Sequence, residues 1–142
     1  MTPDRQQRNG FDGPLQTVFQ DFMADWIFRR EKSAQEIMDS YFTEDFSTEI
    51  DGHLLDRAAF QSRIDRMRHD ADVEGQEFIE MMETENKLFS MHLTRGLSLV
   101  TRKPFQTRAI AVFTFAGAKI RSGYLNSVTL GDARDADFAS RR

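Results

Sequence analysis

Two hydrophobic periods divide this chain, and the switch between them limits what it can become. Leu15, Val18, Phe19, Phe22, Met23, Trp26 and Ile27 recur at intervals of three and four residues, which reads as an amphipathic helix with Pro14 at its first position. In KLFSMHLTRGLSLV the pattern instead alternates, with Phe89, Met91 and Leu93 on one side and Ser90, His92 and Thr94 on the other. Helices come first and strands follow, the order expected of an α+β domain in which helices cover one apolar face of a sheet.

Local signals fill in the elements. Ser33 and Glu36 have capping-box spacing ahead of a second helix whose buried side comprises Ile37, Met38, Tyr41 and Phe42. The stretch EDFSTEI reads as a short strand or irregular link, closed by Asp51-Gly52. A third helix starts at Asp56, with Leu55 and Phe60 at hydrophobic-staple spacing. Its apolar face is Phe60, Ile64 and Met67, and Arg63, Arg66, Arg68 and Asp70 are assigned to the wetter surface. EGQEFIEMMETEN suggests a strand with a polar turn, although its Glu and Met content also suits a helix. FQTRAIAVFTF and IRSGYLNSVTL are strands joined by the tight AGAK connection, and Gly96 marks a bulge or a close approach of backbones. The expected architecture is three helices packed on a strongly curved mixed or antiparallel sheet, with a conical space between. Residues 1–12 read as a flexible leader, 13–131 as a single domain and 132–142 as a flexible polar tail.

Composition removes several classes of function. The 142 residues are enough for one domain with its own core, and the absence of cysteine excludes disulfides and thiolate metal sites. A net charge of -4, from 23 acids and 19 lysines and arginines, offers no basic stripe for nucleic acid. No apolar run approaches the roughly 20 residues of a membrane span, and no signal-peptide core follows the start, so the expected location is the cytoplasm. The thirteen phenylalanines and seven methionines suit either an ordinary core or an adaptable apolar pocket.

Few residues carry candidate chemistry. His92 suits proton transfer, and with Ser90 and Thr94 it forms a polar strip if that side of its strand faces the conical space. On the last strand Tyr124, Asn126 and Val128 share a face; Tyr124 can stack and donate, and Asn126 can orient a carbonyl or hydroxyl. Arg108 and Arg121 fit either carboxylate binding or contacts between two copies. His53 and His69 lack metal-ligand spacing, there is no HExxH, and GLSLVTRKP lacks phosphate-loop spacing, so no metal and no cofactor are expected.

The YFTEDF segment after two helices, the TEIDG link before a third, and the terminal VFTFAGAKIRSGYLN hairpin together resemble the NTF2-like superfamily, most closely its SnoaL-like members. The resemblance spans about Leu15 to Leu130. It implies a cone-shaped pocket between helices and sheet, pairing through the sheet as a homodimer, and a pocket-lining aromatic near Tyr124. Against the ketosteroid-isomerase branch, Ile50 stands at the position of the general base with Asp51 one residue later, Ala111 near the acidic donor and Trp26 near the tyrosine donor. The expected function is therefore binding of a small apolar or aromatic metabolite by Trp26, Ser90, Thr94, Tyr124 and Asn126. The alternatives are an acid-base enzyme of the cyclase, isomerase or hydratase type using His92 and Asp51, or a noncatalytic dimeric interaction module.

Overall fold

The computed structural model describes residues 10–130. Helix α1 (Pro14–Met23) runs into a π-helical segment, Ala24–Arg29, and is followed by α2 (Ala34–Tyr41) and, later, α3 (Arg57–Asp70). The strands are β1 (Phe42–Ile50), β2 (His53–Asp56), β3 (Ala71–Glu83), β4 (Lys87–Ser98), β5 (Pro104–Ala116) and β6 (Lys119–Leu130). They form one six-stranded sheet in the order β2-β1-β6-β5-β4-β3. All neighbours are antiparallel except β1 and β6, which run parallel, so the sheet is mixed. The α+β expectation holds, and EGQEFIEMMETEN lies in strand β3 and the turn after it.

The helix starts follow their sequence signals. Ser33 accepts from the Glu36 amide at 3.1 Å while the Glu36 carboxylate accepts from the Ser33 amide at 2.8 Å, a reciprocal capping box. Asp56 caps α3 by accepting from the Ala59 amide at 2.8 Å. Helix α1 is capped from a distance, because Glu83 at the end of β3 accepts from the amides of Leu15 and Gln16 at 3.1 and 3.0 Å.

EDFSTEI, expected as a short strand or irregular link, lies in a nine-residue strand whose inward positions are Phe42, Phe46, Thr48 and Ile50. Phe42 therefore leads a strand and does not end α2. Its ring packs 5.0 Å from Phe22, 4.6 Å from Phe46 and 5.3 Å from Phe60, tying α1, β1 and α3 into one aromatic cluster. Asp51 and Gly52, with φ of 50° and 86°, make the two-residue turn that an Asp-Gly pair favours between antiparallel strands. Gly96 is a close approach: a Cβ there would lie 2.2 Å from the Asp72 carbonyl oxygen on β3.

Arg68, expected on wet surface, is turned inward to the end of the π-helical segment. It donates to the carbonyls of Trp26 (3.0 Å), Lys32 (2.7 Å) and Asp25 (3.1 Å), anchoring α3 to the first helical layer. Asp25 beside it is buried and accepts from Arg29 at 2.6 Å, Lys32 at 3.1 Å and Tyr41. Burial works against its charge, but hydrogen bonds from Tyr41, Arg29 and Lys32 outweigh it and hold the carboxyl at about 2.

Of the proposed leader, residues 1–9 lie outside the described chain, as does the proposed tail 132–142. Phe11 packs against the core, and its carbonyl accepts from Gln20 at 2.6 Å. No helix among the described residues is long and apolar enough to cross a membrane.

Candidate functional site

Strand register decides which side chains meet the helices. On the inner face Phe78, His92, Ala109 and Ser127 stand opposite one another across β3, β4, β5 and β6. The next row is Met81, Ser90, Ala111, Leu125 and, on β1, Ile50. The middle strand thus presents alanines where its neighbours present larger groups. In the following row Gly123 leaves room for the Phe113 ring, since a Cβ there would lie 2.4 Å from it. Small residues on the sheet, facing the large ones of the helices, leave a space that neither layer fills.

That space is a cavity of about 110 Å³, counted as the volume open to the centre of a water molecule. A single water needs roughly 10–15 Å³ on this measure, so the cavity is large enough for a small organic molecule. Phe19, Phe22, Met23, Trp26 and Ile27 line it from the first helical layer, and Phe60, Arg63 and Met67 from α3. The sheet supplies Thr48 and Ile50, His92 and Thr94, Phe105, Thr107, Ala109 and Phe113, and Leu125 and Ser127. The wall is predominantly apolar, with isolated polar groups set into it, as in sites for small molecules.

His92 reaches the wall with Ser90 behind it. Its ring lies 5.7 Å from Phe19 and 5.8 Å from Phe78, and its Nδ1 is 3.0 Å from the Ser90 hydroxyl, which is itself fully buried. Burial lowers the imidazole to about 4, so it is neutral at pH 7. A hydroxyl can donate to Nδ1 or accept from it, so either neutral tautomer is supported. Nε2, which has no hydrogen-bond partner among the described residues, can then offer a lone pair or an N–H.

The other expected residues divide. Trp26 lines the cavity with its ring, but its indole N–H is already donated to the Ile64 carbonyl at 3.3 Å. Thr94 lines the cavity and accepts from Gln76 at 3.1 Å. Ser90 contacts the cavity only through His92. Asp51 does not line the wall: its carboxylate bridges the Ser127 amide at 2.7 Å and hydroxyl at 2.8 Å, bracing β6 beside the cavity.

Tyr124 and Asn126 require correction. They are exposed on the outer face of the sheet, with Tyr124 at 66% exposure. The inward positions of β6 are Gly123, Leu125 and Ser127, one residue out of phase, and a one-residue offset reverses every side chain of a strand. Leu125 and Ser127 therefore line the space in their place.

Arg63 is the residue the sequence pattern concealed. It lies three residues after Phe60 and four before Met67, so all three share the α3 face that lines the cavity. Its place between two members of the apolar stripe was the available signal. His53 and His69 are exposed and apart from this site, and no group of three potential metal ligands gathers among the described residues.

No protein-family model matches the chain, and no curated protein matches it by sequence. Solved structures do match it. A provisionally named isomerase from Rhodopseudomonas palustris superposes with a TM-score of 0.69 at 12% identity, over 92% of this chain and 98% of that one. A provisionally named polyketide cyclase from Acidithiobacillus ferrooxidans matches with a TM-score of 0.62 at 14% identity, over 92% and 96% of the two chains. A protein of ketosteroid isomerase-like fold from Catenulispora acidiphila, solved with trimethylamine, matches with a TM-score of 0.62 at 12% identity, over 76% and 82%. With its three helices on a mixed sheet and its cavity between the layers, the chain has the same fold as these solved structures, the NTF2-like fold.

Proposed function

We propose that the cone cavity binds a small apolar or aromatic metabolite. The observation that carries this reading is a roomy, mostly apolar space between the helices and the sheet, with six phenylalanine and tryptophan rings in its wall. Trp26 offers a ring face, Thr94 and Ser127 offer hydroxyl oxygens, and Nε2 of His92 offers a donor or an acceptor. Binding is tested by calorimetric titration with 2-naphthamide, a neutral aromatic probe. Wild type takes it up, and Thr107→Phe or Ala109→Phe abolishes uptake while circular dichroism confirms that the variant is folded. Undiminished uptake by folded variants of both kinds refutes the cavity as the site.

A second reading is favoured by the Ser90–His92 pair. A buried imidazole with Ser90 on Nδ1 and Nε2 open to the cavity is placed to accept a proton from a bound molecule at Nε2 and return it to the same molecule. In this reading His92 is the catalytic residue, and Asp51 acts only by positioning Ser127. The three departures at Ile50, Ala111 and Trp26 argue against a ketosteroid-isomerase mechanism, because alanine and isoleucine supply neither a base nor an oxyanion donor.

We also propose that a second copy of the chain covers the outer face of the sheet. Ile110, Val112, Tyr124 and Val128 stand there at 43, 38, 66 and 38% exposure, on adjacent and mutually paired strands β5 and β6. An apolar patch of this kind, with Arg108 beside Val128, suits pairing of like surfaces about a two-fold axis.

A further inference from the structure

The polar groups of the cavity wall can be accounted for one at a time. Thr48 donates to the Gly123 carbonyl at 3.0 Å, and Thr107 shares a hydrogen bond with Thr129 at 3.0 Å. Ser127 donates to Asp51 at 2.8 Å, Thr94 accepts from Gln76 at 3.1 Å and Trp26 donates to Ile64 at 3.3 Å. Apart from Nε2 of His92, one polar group on the wall is left with all its capacity unspent. The guanidinium of Arg63 is half-buried among cavity residues and makes no hydrogen bond or ion pair with any described residue.

This is a costly way to keep a cation. Burial lowers the pKa of Arg63, and the field of Asp51 only partly opposes that effect. Arginine stays charged in proteins, so the site holds a positive fork of five N–H donors against an apolar wall. A neutral carbonyl engages one or two of those donors, whereas a carboxylate matches the fork with two parallel charge-assisted bonds. A phosphate dianion fits less well, because Arg63 is the only Lys or Arg lining the cavity among the described residues and the second negative charge would be desolvated without a partner.

We infer that Arg63 selects the anionic end of the ligand, and that the ligand class is an apolar or aromatic carboxylic acid. Its carboxylate sits on Arg63 and its body lies along the Phe19, Phe22 and Phe113 wall, within reach of Nε2 of His92. The inference rests on the cavity being the binding site and adds which molecules it prefers. Asp51 tempers the preference: its charge is spent on Ser127 but still opposes an incoming anion.

The experiment compares 2-naphthoate with 2-naphthamide, equal in size and shape and differing in charge, by calorimetric titration at pH 7. The expected result is that wild type binds the naphthoate about 10- to 100-fold more tightly than the amide, the range of a charge-assisted pair. Arg63→Met reduces that ratio to about one by weakening the naphthoate far more than the amide, and Arg63→Lys keeps an intermediate ratio because it retains the charge without the fork. Asp51→Asn, a change tolerated at a positive φ, raises naphthoate affinity a few-fold relative to the amide. Equal affinities in wild type, or a preference that survives Arg63→Met, overturns the inference. If the amide still binds and Thr107→Phe still blocks it, the cavity reading stands without the acid selectivity; if neither probe binds, both readings fall.

Discussion

His92 allows the packing of the site to be read as a pH effect. In the folded chain burial holds the imidazole at about 4, against 6.5 when it is free in the unfolded chain. The unfolded state therefore binds the proton more tightly, and acid favours unfolding through this group. Its contribution is fully present above about pH 6.5 and is lost as pH falls through the window down to about 4. The loss reaches about 2 kcal/mol at pH 5 and about 3 kcal/mol below both values, since each tenfold in proton affinity is worth about 1.4 kcal/mol. The perturbation is His92→Gln, which keeps a polar group near Ser90 but does not titrate. Urea unfolding at pH 7 and at pH 5 gives four free energies, and groups common to both proteins cancel in the comparison. Wild type should lose about 2 kcal/mol more than the variant between the two pH values. If the two proteins lose the same amount, the imidazole is not buried as a neutral group, and the proposed proton transfer at Nε2 loses its basis.

Two other substitutions test the layers around the cavity. Arg68→Met removes the donors to the Trp26, Lys32 and Asp25 carbonyls and should lower unfolding free energy in urea by about 2–3 kcal/mol; a change within about 0.5 kcal/mol means that water satisfies those carbonyls equally well. Ile110→Arg places a charge in the centre of the outer face and should convert a dimer to a monomer in sedimentation velocity without altering the circular dichroism spectrum. A wild-type chain that sediments as a monomer at micromolar concentration ends the dimer proposal.

Much of the fold was legible because local signals and tertiary demands agree. The Leu15-to-Ile27 stripe, the Ser33–Glu36 box and the Asp56 cap each act within one or two turns of chain. The site was harder because its side chains are set by sheet phase. Both faces of β4, β5 and β6 carry apolar residues, so alternation alone does not say which face is inside. On β4 the less apolar phase, Ser90 and His92, is the buried one, while Phe89, Met91 and Leu93 lie on the half-buried opposite face. On β6 the same ambiguity turned Tyr124 and Asn126 outward. Alternation carries no measure of what covers the outer face, and the resemblance, which implied a pocket-lining aromatic near Tyr124, favoured the outward phase of β6. Arg63 and Arg68 were read as surface because charge usually goes to water; both are long enough to reach inward across an apolar stripe, Arg68 to backbone carbonyls and Arg63 to the cavity wall.

The parallel pairing of β1 with β6 has a kinetic consequence. Thr48 and its partner Gly123 are 75 residues apart, and Asp51 reaches across 76 residues to Ser127. While the chain is being made, β1 can form a hairpin with β2, but its other edge waits for the final strand to emerge. Every earlier nascent chain presents that edge, with Phe42, Phe46 and Ile50 beside it, to whatever else is nearby. Closure of this long loop is slow relative to the local hairpins, so the step that completes the cavity wall is also the one that covers the open edge of β1.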